Sequence, residues 1–342
     1  MFGEGYVSYD FEKAKLLPRY QIGQPVSVVL ICRNKADCLS YVISALACNT
    51  RRPDLVVLSD DASTDDSPRI FAELCTQHDL AYEVASHSSE GPPFRLNTLR
   101  NDGIAACEEG LVIILDADHV PARTHIEAHL ELHVENQYGV LSTGPRLEYA
   151  NPDCSGPINF MWGHEPFSMF QVSATEPVPT WTAVLASNIG MVKRAILELG
   201  GFDPIYDGNY GFDDVDFTYR AWTKGYFFAA SFEAHVIHIP HPSFKNRNGD
   251  INRRKFQQKY NFALTYPSMI NSLVRSSWHD YYRSLLQQHG SKMTILSPLP
   301  DQRIVVPMLD IESIRGKILL RILIGRILRK LQRTLGWRIS AS

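Results

Sequence analysis

The stretch Leu111-Val-Ile-Ile-Leu-Asp-Ala-Asp-His119 decides how this chain is read, because five apolar residues in a row deliver two carboxylates and an imidazole to one point. A short apolar run bounded by polar residues is the pattern of a strand buried on both faces. Outward from it the same pattern repeats. Val26-Ser-Val-Val-Leu-Ile31, Leu55-Val-Val-Leu58 and Leu80-Ala-Tyr-Glu-Val84 read as further strands. Between them Leu39, Val42, Ile43 and Leu46, then Ile70, Phe71 and Leu74, recur at helical spacing, and another helix is expected near Leu96–Cys107. Strands alternating with helices predict an α/β fold, a mainly parallel sheet flanked by helices. In such sheets ligands bind beyond the carboxyl ends of the strands.

Each of these strand ends is polar. The first runs into Cys32-Arg-Asn-Lys35, the second into Ser59-Asp-Asp-Ala-Ser-Thr-Asp65, and the last into Asp116-Ala-Asp-His119. Two carboxylates one residue apart can hold Mg2+ or Mn2+ through oxygen and leave positions open for substrate phosphates. The same residues also suit a turn, and Asp65 suits a helix cap. After Gly144 the pattern turns irregular and proline-rich, as expected of loops that cover a site. Regularity returns at Ser187–Arg194, a helix leads to Gly200-Gly-Phe-Asp203, and Gly208-Asn-Tyr-Gly-Phe-Asp-Asp-Val-Asp216 opens another helix.

Taken in order, V-S-V-V-L-I-C-R-N, V-V-L-S-D-D-A-S-T-D, L-R-N-D-G-I-A, I-I-L-D-A-D, G-G-F-D-P and F-D-D-V-D-F-T-Y-R-A-W-T-K-G-Y-F-F resemble the family 2 glycosyltransferases of the GT-A, Rossmann-like fold. The resemblance covers about Pro25 to Pro242, and the last block is most similar to the chondroitin-polymerase and galactosyltransferase branches. It implies an inverting transfer from a UDP-sugar to a hydroxyl of a glycan or lipid-linked acceptor, with Mn2+ or Mg2+ as cofactor. By that resemblance Asp61 accepts a hydrogen bond from the uracil ring and Asp60 supports it. Arg100, Arg95 and Arg33 face the nucleotide. Asp118 ligates the metal, and Asp116 contacts the ribose or a metal-bound water. Asp214 stands where the family keeps its base, with Asp213 binding the acceptor or orienting the site. One further metal ligand is expected from His235-Val-Ile-His-Ile-Pro-His241, either His238 or His235, with His241 structural or facing the phosphates. Asn188 is expected at the sugar or acceptor. The family's Trp between two glycines is replaced here by Asn209-Tyr210, so Tyr210 or Phe212 is left to form the aromatic wall against the sugar.

Composition narrows the alternatives. The chain has 342 residues, 44% of them hydrophobic, and a net charge of −3. From Ser313 to Ser342 there are eight Lys or Arg and no acid, which leaves 26 basic against 37 acidic residues in the body. That balance argues against a nucleic-acid binder. Six cysteines without a C-x-x-C pair read as buried thiols in a reducing compartment. The N-terminus lacks a basic segment followed by an apolar run, so a cytoplasmic protein is expected.

The expected organisation is a lead segment over 1–24, the catalytic domain over 25–245, and a loop and helical extension over 246–342. Lys245–Lys255 has the polarity either of a mobile loop that folds over the diphosphate or of a solvated basic loop. In the tail, Leu320, Ile324, Ile327, Leu328, Leu331 and Leu335 form an apolar stripe opposite Arg315, Arg326, Arg329, Lys330 and Arg333. Such a helix either lies on an anionic membrane, peripheral at its inner face, or packs on the domain or a second subunit of a homo-oligomer. A sugar nucleotidyltransferase is a rival reading, but Cys32-Arg-Asn-Lys-Ala36 lacks the glycines of its phosphate loop. A non-catalytic carbohydrate-binding protein is the other, and intact Asp116, Asp118 and Asp214 speak against it.

Overall fold

The computed structural model describes residues 11–87, 95–156, 158–160, 184–241, 249–260, 287, 290, 292–299 and 303–307. The stripe and basic residues of the tail lie outside them. The apolar runs form the parallel part of the main sheet, with β1 (Val26–Cys32), β2 (Leu55–Asp60), β3 (Tyr82–Ser86) and β4 (Leu111–Asp116). All seven residues of β1 are buried, because helices cover both faces. The remaining strands are β5 (His119–Pro121), β6 (Val140–Thr143), β7 (Arg146–Tyr149), β8 (Ile158–Phe160), β9 (Asn188–Val192), β10 (Phe227–Ala230), β11 (Val236–His238), β12 (Lys292–Leu296) and β13 (Arg303–Pro307). Seven of them pair in the order β10-β6-β9-β4-β1-β2-β3, and β9 runs antiparallel to both neighbours. A second sheet has the order β5-β11-β7-β8.

The helices are α1 (Phe11–Lys15), α2 (Leu39–Ala47), α3 (Ser67–Gln77), α4 (Leu96–Ala106), α5 (His125–Glu135), α6 (Lys193–Glu198), α7 (Asp213–Lys224) and α8 (Asp250–Tyr260). The opening stretch therefore does more than end a strand. Its Asp-Ala-Asp turn carries the chain from β4 of the large sheet into β5 of the small one. The N-cap of α3 is Asp66, not the expected Asp65, and Asp65 instead accepts from the Ser67 N–H at 3.0 Å within the loop that precedes the helix.

Two expectations change. The proline-rich segment after Gly144 contains β7 and β8, strands of only four and three residues, too short to show a period in sequence. The polar run expected as a loop through Lys255 becomes helix α8 from Asp250 on. Its apolar face is narrow: Asn252 and Phe256, four residues apart, are the buried positions, and Phe256 joins the same core as the main sheet. Ala14 and Leu17, ahead of the first strand, join that core too. All six cysteines are free, and Cys32, Cys38, Cys75 and Cys107 are buried. Among the described residues no helix is long and apolar enough to cross a membrane.

Candidate active site

Parallel registry sets the first half of the site. Cys32 at the end of β1 pairs with Asp60 at the end of β2, and Ile31 with Asp116 at the end of β4, so three polar strand ends meet at one edge. Asp60 shapes the turn that follows it, accepting from the Ser63 N–H at 3.0 Å and from its hydroxyl at 2.5 Å. Asp61 is buried and gathers two arginines. Arg33 Nη1 donates to its Oδ2 at 3.0 Å, and Arg95 Nε to its Oδ1 at 2.9 Å. Arg100 does not join them. Its guanidinium lies 2.5 Å from Asp213 Oδ2 and 5.0 Å from the Phe202 ring centroid, so it serves the carboxylates of α7 rather than the nucleotide side.

The second half is the turn between the sheets. Asp118 is buried, with His119 Nδ1 at 2.9 Å from Oδ1, and Lys35 Nζ and His241 Nε2 at 2.6 and 3.0 Å from Oδ2. His238 Nε2 stands 3.8 Å from the same Oδ2. Burial raises the Asp118 carboxyl, but hydrogen bonds from His119 and His241 and the charges of His119 and Lys35 outweigh it and hold the group well below the usual carboxylate range. Asp118, His238 and His241 bring ligand atoms within 4.8 Å of one another, as do Asp116, Asp118 and His119. The donor set fits a divalent ion. His238 Nδ1 lies 3.0 Å from Glu148 Oε1, which fixes the ring and leaves Nε2 toward Asp118, the arrangement of a metal-bound histidine backed by a carboxylate. His119 Nε2 is buried without a hydrogen-bond partner among the described residues.

His235 is not part of this cluster. It precedes β11, at the end of the short turn Phe232–Ala234, where its ring is buried and its Nδ1 meets the Phe232 carbonyl at 2.9 Å. His241, beyond the strand, reaches Asp118 instead.

Helix α7 supplies the third component. Gly211 (φ 81°) and Phe212 (φ 65°) both take the left-handed conformation immediately before it, a costly state for a phenylalanine. Asp213 and Asp214 then sit in the first turn. Asp213 is tied to Arg100, as an orienting group would be. Burial pushes the Asp214 carboxyl up to about 7; the negative charge of Asp213 adds to this and Arg100 opposes it. Asp216 belongs to the scaffold: it is fully buried and takes Arg220 Nε at 2.8 Å, Lys259 Nζ at 2.8 Å and the Tyr260 hydroxyl at 2.7 Å. Asn252 of α8 holds the loop ahead of Asp213, its Nδ2 lying 2.8 Å from the Tyr206 and Gly211 carbonyls and 3.0 Å from that of Asn209. Of the two aromatic candidates, Tyr210 is exposed, while Phe212 packs against Phe256 with centroids 5.7 Å apart.

A family model described as "Glycosyl transferase family 2" matches residues 27–197, which is 171 of the 342 residues. The chain belongs to glycosyl transferase family 2. A hyaluronan synthase of Pasteurella multocida is 22% identical over 231 residues, 59% of this chain, and the match spans 23% of that protein's length. S. aureus TarS 1–349 in complex with UDP-GlcNAc superposes with a TM-score of 0.55 at 15% identity, covering 78% of this chain and 75% of that one. The same segment in complex with UDP gives 0.53 at 16% identity, covering 78% and 74%. Likeness at that identity establishes the shared GT-A fold.

Within this family 2 glycosyltransferase, Asn188 lies elsewhere than expected. It opens β9 at the site edge, but its side chain turns inward. Oδ1 receives His125 Nε2 at 2.9 Å and His129 Nε2 at 3.2 Å, and Nδ2 donates to the Gly144 and Ala234 carbonyls at 3.1 and 2.9 Å. Four partners satisfy the amide and leave nothing for a sugar. Conversely, Lys35, Glu148 and Arg146 were not among the expected site residues, and His119, visible at the strand end, was given no role of its own. Arg146 and Glu148 alternate on β7 and so share a face. Burial lowers the Arg146 pKa, against the pull of Asp116, Asp118 and Glu148, and its Nε has no hydrogen-bond partner among the described residues. For Arg146 and Glu148 the sequence signal was the R-x-E alternation in Arg146-Leu-Glu-Tyr149, which says nothing until β7 pairs with β11.

Proposed function

We propose that the chain transfers a sugar from a UDP-sugar to a hydroxyl of a glycan or lipid-linked acceptor, with inversion at the anomeric carbon. The observation that carries this reading is the Asp118–His238–His241 cluster, backed by Glu148, at the same sheet edge as Asp61 and its two arginines. That pairing suits a ligand with a nucleobase at one end and a metal-bound diphosphate at the other. TarS, of the same fold, takes UDP-GlcNAc, which supports a uridine donor. The F-D-D-V-D block further supports a branch like that of the chondroitin polymerases.

In this reading Asp61, freed from part of its arginine pairing, accepts from the uracil N–H, and Arg33 and Arg95 turn toward the nucleotide. Asp118, His238 and His241 hold Mn2+ or Mg2+, with Asp116 and His119 beside them. The ion, when bound, neutralises the charge that collects on the departing diphosphate. Asp214 takes the proton of the acceptor hydroxyl as its oxygen bonds to the anomeric carbon; the carbon–oxygen bond to the diphosphate breaks and its electron pair leaves with UDP. A carboxyl raised to about 7 suits that role, since it is basic enough to accept the proton and ionised near neutral pH. Arg100 and Asp213 keep it aimed.

The test is UDP release from a panel of UDP-sugars with and without EDTA. Turnover should vanish under chelation and return with Mn2+, and Asp118→Ala should lose most of its affinity for UDP. Full turnover in excess EDTA would overturn the metal assignment.

A further inference from the structure

Lys35 has no part in the chemistry just described, yet its ammonium contacts Asp118, the carboxylate shared by both candidate metal clusters. Its backbone is pinned on three sides. The Lys35 N–H donates to Ser67 Oγ at 2.8 Å, the Asn34 N–H to Ser63 Oγ at 2.8 Å, and the Ala36 N–H to Asp65 Oδ2 at 3.1 Å. Only the four-carbon side chain is left to move, and lysine is a compact charge on a flexible stem. Its Nζ is 2.6 Å from Asp118 Oδ2, the oxygen that His241 and His238 also approach. An ammonium thus stands where the ligand atoms converge. A dication and an ammonium cannot share one partly buried carboxylate oxygen, because their repulsion there is poorly screened. The place to which the ammonium can go is set by sequence. Lys35 is two residues beyond Arg33, which reaches Asp61, so its loop runs between the nucleotide carboxylate and the metal cluster, the gap a diphosphate must span.

We propose that Lys35 is a placeholder cation: its ammonium neutralises Asp118 in the absence of metal, yields that oxygen to a divalent ion, and takes the nucleoside diphosphate as its new partner. The proposal rests on the donor and metal reading above. It makes ion and nucleotide bind cooperatively beyond their direct contact. Metal alone must displace the ammonium with nothing offered in return, whereas with UDP present the ammonium regains a partner. By linkage the same factor acts in both directions.

The measurement is Mn2+ binding to the full chain by electron paramagnetic resonance, with and without saturating UDP, for the wild type, Lys35→Gln, Lys35→Met and Lys35→Arg. Both neutral variants should bind Mn2+ alone about fivefold or more tighter than wild type, and the enhancement by UDP should shrink by a similar factor. Lys35→Arg keeps the charge and should keep the wild-type pattern. The methionine variant guards against the glutamine amide acting as a ligand. Neutral variants that bind Mn2+ alone no tighter than wild type, or an arginine variant that behaves like them, overturn the placeholder. A wild-type chain that binds no Mn2+ even with UDP overturns the donor reading beneath it, so the two failures are distinct.

Discussion

The environment of Asp214 favours its protonated form, and this links activity to stability. Its carboxyl is raised from 3.8 to about 7, first by burial and then by Asp213. The native state therefore binds this proton more tightly than the unfolded chain does. The contribution to stability is full below the unfolded value, about pH 4, and is lost as pH rises through 7. Asp214→Asn removes the charge, so at pH 8 its melting temperature should exceed that of wild type, with no such gain at pH 4. Turnover should fall about a hundredfold or more while UDP-sugar affinity changes little. In the wild type, turnover should climb with pH through about 7 as the base ionises. An Asn variant within a few-fold of wild-type turnover would assign the proton transfer to another group.

Helix α5 places His125, His129 and His133 at successive four-residue steps, hence on one face, and all three are buried. They form a ladder against β6 and β9. His129 Nδ1 meets Ser142 Oγ at 2.7 Å, and His133 Nε2 meets the same hydroxyl at 3.0 Å. Gly190 makes room for it, since a Cβ there would lie 2.6 Å from Ser142 Oγ and 2.8 Å from His129 Nδ1. Burial lowers the three imidazoles, His129 to about 3, His133 to about 4 and His125 well below its usual value. Depressed folded values mean that the unfolded chain takes up protons first. The stabilisation is present above pH 6.5 and is lost as pH falls toward 4. Urea titrations at pH 7.5, 6.0 and 5.0 should show the decline, and a His133→Leu chain should show a shallower one. An unchanged slope would mean that the ladder is not neutral in the folded state.

The chain passes from the large sheet to the small one through a tight junction at Gly144. A Cβ on Gly144 would lie 1.9 Å from the Ala234 carbonyl oxygen, and Asn188 ties the carbonyls of both residues together. These carbonyls precede β7 and β11, the strands that carry Glu148 and His238. Gly144→Ala should therefore destabilise the fold by about 3 kcal/mol, the range of an overpacked core. It should also weaken Mn2+ binding, because the strands bearing the metal residues must separate. A Gly144→Ala chain with wild-type stability and Mn2+ affinity would mean that the junction relaxes freely.

The parallel strands and the polar residues that end them were legible in sequence, because a strand buried on both faces must be continuously apolar and its polar ends then stand out. Asp61 and Asp118 stand at or just past such strand ends, while the roles expected of Asp61, Asp118 and Asp214 came from the resemblance of the motif order to the family. That His238, and not His235, faces Asp118 required the pairing of β11 with β5 and β7, which sets the face His238 takes, and the turn ahead of it, which buries His235. Asn188 shows the limit: its position at the strand end was visible, but the direction of its side chain depends on helix α5, whose histidines draw it inward. Lys35, Arg146 and Glu148 were hidden for the same reason. Sequence patterns fix which residues leave a sheet together, since periodicity is local. Which side chains then share one charge is decided by contacts between strands and loops far apart in the chain, as in the meeting of Lys35, His238 and His241 at a single oxygen of Asp118.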